Sequence, residues 1–348
     1  MRPSVPPPLP RHVQQGSVAQ TVRALPRGAR PSDVWRNAAF AILRLDAKEC
    51  EQLGGVFEDA SIDEERRVLV LDLLAGAGTF EAQAVMRRLL ALAIARRDSR
   101  MFATFVQRLG FVEHPDGPTL RFLMSVLAES RNEPPEIRAA CAYALGAAAG
   151  QAWRAGDHDA AARATDVLRQ DLLHAGAPRE KAAILTALGN AGIPSDVYTV
   201  LRHVHDADAG VRTAAALALR KIDAPAARTA LLDMLADAEH KVAHGALVAL
   251  GEHRLDEGEL ERLADLVLAG RTALALDARI LRLMVAQGGQ LQPTGTRPGS
   301  IENALRLLLG RSEASASSAE SGSGEHRLVS GKHRVVLTQG ALGSSARG

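Results

Sequence analysis

The chain has 348 residues, 47% hydrophobic and 24% charged, with aromatics at 3% and a formal net charge of +2 from 42 basic and 40 acidic residues. No stretch approaches the roughly 18 uninterrupted apolar residues of a membrane span, so no integral membrane segment is expected. The even spread of both charges leaves no electrostatic footprint for nucleic acid or anionic lipid. The length suits two domains or one elongated array, and the dominance of Ala and Leu points to helices throughout.

In chain order, residues 1–31 are rich in Pro, Gly, Arg and Gln without periodicity and read as a disordered arm, with Pro6-Pro7-Pro8-Leu9-Pro10 favouring polyproline II. This start lacks the apolar core of a secretory signal, so a cytoplasmic location is expected. Residues 32–311 read as one helical region. Residues 312–324 (SEASASSAESGSG) read as a Ser/Gly-rich linker, and residues 325–348 as a β-hairpin around Ser330-Gly331 followed by a disordered tail.

Within the helical region Ala187-Leu188-Gly189 recurs as Ala218-Leu219-Arg220 and as Ala249-Leu250-Gly251, each step 31 residues. The period extends over the whole unit, because Val200, Leu201 and Val204 map onto Leu231, Leu232 and Leu235, and the last two of these continue into Leu263 and Leu266. Before the second helices, Asp206 and Asp208 map onto Asp237 and Glu239, where a carboxylate can cap a helix N-terminus. Upstream, Ile137 to Gly146 matches Glu180 to Gly189 at an offset of 43, the period plus an insertion around Trp153 to Asp159 that is expected to form a loop.

Each unit is therefore a helical hairpin that buries its apolar stripe only against its neighbours. The expected fold is all-α, an α-solenoid of stacked hairpins with a HEAT-like period. A basic residue recurs near the start of the second helices at Arg138, Lys181 and Arg212, but position 243 is Ala. This row reads either as an interaction surface or as pairing with the preceding carboxylates within each unit.

The earlier helices carry a more particular series. Phe40 to Leu45 is followed by Arg66 to Thr79 with its Gly78-Thr79 turn, by a helix from Ala82 to Ala95, and by Phe102 to Leu109. Then come Pro118-Thr119, Ala144-Leu145-Gly146, Leu188-Gly189-Asn190-Ala191-Gly192 and Ala218-Leu219-Arg220. This order resembles the helical domain of the large lipid transfer proteins, the family of vitellogenin and the microsomal triglyceride transfer protein large subunit. The resemblance implies a helical arch that acts in lipid transport only together with β-sheet modules or a partner. Taken without it, the repeats imply a generic scaffold for protein partners.

Candidate chemistry is sparse. His240 and His244 stand at i,i+4 with His253 beyond, a spacing that could hold a metal but lacks the Glu of a zincin and a third fixed ligand. Cys50 and Cys141 exclude a disulfide framework and leave one long-range bridge open. No phosphate loop, nucleophile elbow or paired-Cys motif occurs. The expectation is a protein that is not an enzyme and carries no cofactor or metal.

Overall fold

The computed structural model describes residues 17–95, 99–288 and 299–321. Its first helices are α1 (Val18–Ala24), α2 (Asp33–Leu43), α3 (Ala47–Glu58), α4 (Glu64–Ala77), α5 (Phe80–Ala95) and α6 (Ser99–Gly110). The chain continues through α7 (Gly117–Glu129), α8 (Pro135–Arg154), α9 (His158–His174), α10 (Pro178–Ala191), α11 (Val197–Leu201) and α12 (Ala209–Leu219). It ends with α13 (Pro225–Met234), α14 (His240–Leu250), α15 (Glu257–Leu268), α16 (Asp277–Gly288) and α17 (Gly299–Ser321). Strands are absent among the described residues, and no helix there is long and apolar enough to cross a membrane. The hairpin expected after residue 324 lies outside them.

Successive helices pack as hairpins, and the hairpins stack into two rows. Even-numbered helices from α2 to α14 touch their neighbours in one row; most odd-numbered helices do so in the other. One continuous core runs between the rows, from Val18 to Leu308. The 31-residue period is visible in it: Val200 and Leu231 are fully buried, as are Leu232 and Leu263, and Leu219 and Leu250. Burying leucines only between neighbouring units is the stacking that makes a solenoid rather than a globule.

The Ala-Leu-Gly recurrence has a packing cause. A β-carbon on Gly110 of α6 would lie 2.5 Å from Cα of Ala144 in α8, and one on Gly189 of α10 would lie 2.5 Å from Cα of Ala218 in α12. Between these two, Gly146 of α8 abuts the carbonyl of Ala187 in α10. The glycine of one unit thus receives the alanine of the next, and the even row approaches backbone to backbone. At the end of α10 only Gly192, at φ 64°, takes the left-handed conformation; Gly189 and Asn190 are ordinary helical residues.

Three expectations need correction. The arm expected at residues 1–31 contains α1: Ser17 accepts from the backbone N–H of Gln20 at 3.1 Å, the Gln20 side chain returns the bond, and Val18 and Val22 are fully buried. Seven residues among Pro and Arg are too few to show a period, and the helix exists because its apolar side docks on α3 and α4. Residues 1–16 lie outside the described part.

The insertion around Trp153 to Asp159 does not form a loop. It lengthens α8 to 20 residues and α9 to 17, leaving a turn at Gly156 with φ 88°, because the Ala-rich run before it holds no proline. Likewise α17 continues to Ser321, through most of the segment expected as a linker. Once Ile301, Ala304 and Leu308 are buried, Ala, Ser and Glu extend the helix cheaply.

Candidate functional site

The three basic residues singled out from the sequence are drawn into ion pairs between units. Arg212 of α12 forks onto Asp237 of the next unit, Nε to Oδ2 at 2.8 Å and Nη2 to Oδ1 at 3.0 Å, and donates back to the carbonyls of Asp206 and Ala207. Lys181 of α10 reaches Asp206 at 3.4 Å, the same 25-residue step. Arg138 of α8 donates to Asp171 of α9 and lies 3.8 Å from Glu180 at the start of α10.

The carboxylate in each case follows the cation instead of preceding it, which corrects the expected pairing within a unit. Only the next unit's loop stands opposite the first turn of a second helix when hairpins stack in parallel. Asp208 does cap α12, accepting from the N–H of Val211 at 3.0 Å, whereas Glu239 makes no cap bond at α14. Asp206 and Asp237 accept from the N–H two residues on, at 3.0 and 2.9 Å, which fixes each loop for its cation. The Arg212 fork, with burial opposing it, holds the Asp237 carboxyl below its usual range, and for Asp206 the N–H of Asp208 does most of this, helped by Lys181.

Of the three cations, Arg138 also lines a groove. About 270 Å³ of space opens between the first halves of α8 and α10, lined by Arg138, Ala139, Ala142, Tyr143, Asp171 and Ala183 among others. The helices meet at Gly146 and Gly150 further along and leave this space nearer their N-termini. Across its mouth Arg179 pairs with Glu136 at 3.0 Å. On the far side of Asp171, a second groove of about 210 Å³ runs beside Leu127, Arg131, Val167 and Gln170.

The histidines do other work. His253 is buried and its Nε2 bonds the carbonyl of Leu219 at 3.0 Å, tying one turn to the preceding unit. His240 and His244 stack with ring centroids 6.2 Å apart, and Nε2 of His244 meets the Arg279 guanidinium on α16. Desolvation, Arg279 and His240 all push the His244 imidazole below its usual value. Among the described residues no group of three or more His, Cys, Asp or Glu could hold a metal ion. Cys50 and Cys141 are both free and buried.

Residues 165–251 match the family model described as HEAT repeats. This part of the solenoid is similar to HEAT repeats. The matched stretch takes in most of α9 and runs through α14, where the 31-residue period is cleanest. No curated protein matches the chain. Among solved structures, a crystal structure of an engineered protein is 16% identical, covers 66% of this chain and 96% of its own, and has a TM-score of 0.35. A second engineered protein is 16% identical over 87% of this chain and 90% of its own, with a TM-score of 0.38. Human deoxyhypusine hydroxylase in complex with glycerol is 17% identical over 79% of this chain and 98% of its own, with a TM-score of 0.28.

Sequence reasoning found the cations of the array and missed Asp171. Asp206 and Asp237 stand at a constant spacing from the repeat, so they were visible. Asp171 sits 33 residues after Arg138 because α8 and α9 are lengthened, and the lost register hid it.

Proposed function

We propose that this chain is a non-enzymatic HEAT-repeat scaffold that binds a protein partner along its surface. The observation that supports this reading best is the use of the chemically able side chains. The cations of the repeats are engaged in ion pairs between units, His253 is buried on a backbone carbonyl, and both thiols are buried. A chain whose polar groups stitch one unit to the next is built to hold a shape, and a stacked array presents an extended surface to a partner.

The lipid-transport reading draws no support from the family match, which is to the repeats alone. The Leu and Ala stripes that would have to face a lipid pack between the two rows. The test is affinity purification of the full chain from its native cells, followed by size exclusion and organic extraction. A stoichiometric protein complex without neutral lipid is the expected result. Abundant neutral lipid on the chain, or substrate turnover by the purified chain, would overturn the scaffold reading.

A further inference from the structure

The two edges of the even-numbered row treat their cations differently. At the helix starts, Arg138, Lys181 and Arg212 each meet a carboxylate. At the helix ends, Arg154 closes α8 while Arg220 and Lys221 follow α12, with Arg154 and Lys221 exposed and Arg220 half-buried. Among the described residues none of these three side chains makes a hydrogen bond or an ion pair. Cations beside a helix C-terminus commonly donate to its last carbonyls, and these three do not.

Backbone packing gathers them. Gly150 of α8 lies on the end of α10, where an added β-carbon would stand 2.8 Å from the carbonyl oxygens of Asn190 and Ala191. One further turn carries α8 past that end to Arg154. From the other side Lys221 covers Gly192, the C-cap of α10 at φ 64°, with its Cβ 3.1 Å from where a β-carbon of Gly192 would stand. Arg154 and Lys221 thus border a bay over Gly192, which fills none of it. Partial desolvation, then Arg220 and Arg154, push the Lys221 ammonium below its usual value, and the opposing pull of Glu252 does not offset them. Other carboxylates close in sequence are committed: Asp157 accepts from the N–H of Ala160 at 3.1 Å, and Asp223 pairs with Arg228 at 3.1 Å.

The repeat shows what the array uses elsewhere at these positions. Arg220 stands where the neighbouring units have Gly189 and Gly251, and Lys221 where they have Asn190 and Glu252. An arginine there forgoes the backbone approach that Gly189 allows Ala218, and it makes no internal bond in return. Leu217 lies one turn before Lys221 on the same helix face and is 40% exposed; Val248, at the matching position of the next unit, is 37% exposed.

We propose that Arg154, Arg220 and Lys221 dock an acidic segment of a protein partner, with an Asp or Glu carboxylate in the bay over Gly192 and an adjoining apolar side chain on Leu217 and Val248. The inference rests on the scaffold reading and specifies its partner. Charge complementarity names the occupant: three gathered cations without a counter-ion call for an anion, and a carboxylate accepts charge-assisted bonds from guanidinium and ammonium alike. The exposed Leu217 beside them asks for an apolar neighbour on that anion, which a peptide supplies and an inorganic ion does not.

The experiment uses the full chain with labelled Leu and Val methyl groups at low salt, where charge pairing is least screened. It is titrated with the peptide Ac-Glu-Leu-Glu-NH2, with Ac-Gln-Leu-Gln-NH2, with inorganic phosphate and with phosphatidylserine vesicles. Saturable shifts at Leu217 and Val248 are expected with the glutamate peptide. Affinity should be roughly tenfold weaker for the glutamine peptide, and roughly tenfold weaker for the glutamate peptide when Arg154→Gln and Lys221→Asn are combined. That double variant should melt within a few degrees of the parent or above it, because like charges are removed. Equal affinity for the two peptides, no saturable shift, full affinity in the double variant, or tighter binding of phosphate or vesicles than of peptide would each overturn the proposal. A fall in melting beyond a few degrees would overturn it too, by showing that the cations serve the helix ends they follow. A native partner complex undiminished in the double variant would overturn this seat while leaving the scaffold reading intact.

Discussion

Gly146 of α8 lies against the backbone carbonyl of Ala187 in α10 so closely that no β-carbon fits between them. Gly245 of α14, though buried in the same row, has its nearest neighbour at an ordinary 3.5 Å, the methyl of Thr213. Substituting alanine should therefore have opposite effects at the two positions. Gly146→Ala forces two backbones apart and should destabilise by about 2–3 kcal/mol, even after the helix-propensity gain. Gly245→Ala should be neutral or stabilise by up to about 1 kcal/mol through that same gain. Urea unfolding of both proteins measures the difference, and equal effects would remove the packing explanation of the Ala-Leu-Gly recurrence.

The Arg212–Asp237 fork should couple neighbouring units. Its side chains are 16% and 13% exposed, so solvent screens it less than a surface pair. A double-mutant cycle with Arg212→Ala and Asp237→Ala should return a coupling of about 1–3 kcal/mol at pH 7. The Asp237 carboxyl is held below its unfolded value, chiefly by Arg212, so the stabilisation is fully present above about pH 4 and is lost as pH falls through the folded value. A coupling unchanged well below that range would contradict the assignment.

His244 joins α14 to α16 through Arg279, and the direction of that bond fixes its protonation. A guanidinium only donates, so Nε2 must accept and the ring is neutral with its proton on Nδ1. Because the folded imidazole titrates below the unfolded one, its contribution is complete above about pH 6.5 and declines as pH falls through the folded value. Amide exchange in residues 277–288 should accelerate as pH is lowered from 7 to 5, after correction for the intrinsic rate, and His244→Gln should remove that pH dependence.

Neither thiol should react in the native protein. Burial pushes Cys50 up to about 11 and Cys141 up to about 12, so neither is a thiolate at pH 8. A thiol-specific disulfide reagent should find no reactive group in the native chain and two after denaturation. In the unfolded chain these thiols ionise near the ordinary value of about 8.5, so folding stability should decline as pH rises beyond it. Rapid native labelling would show that the core around α3, or around α8, opens readily.

The sequence by itself determined the repeat and hence the class of fold. A step of 31 residues that places Leu188, Leu219 and Leu250 in register can bury those leucines only by stacking, whatever the details of each turn. It also located the loop carboxylates, since Asp206 and Asp237 share a position that the repeat defines. Tertiary structure alone decided which partner each charge takes. Lys181 and Arg212 pair with the following unit because parallel stacking places that unit's loop against their helix starts, a relation that no single unit contains. It also decided the fate of short or irregular segments. α1 has too few residues to show a period and is held by docking, and Asp171 reached its place between two grooves only because α8 and α9 outgrew the repeat. Periodicity is a property of the chain, whereas the pairing of a charge and the docking of a short helix depend on which surfaces the stack brings together.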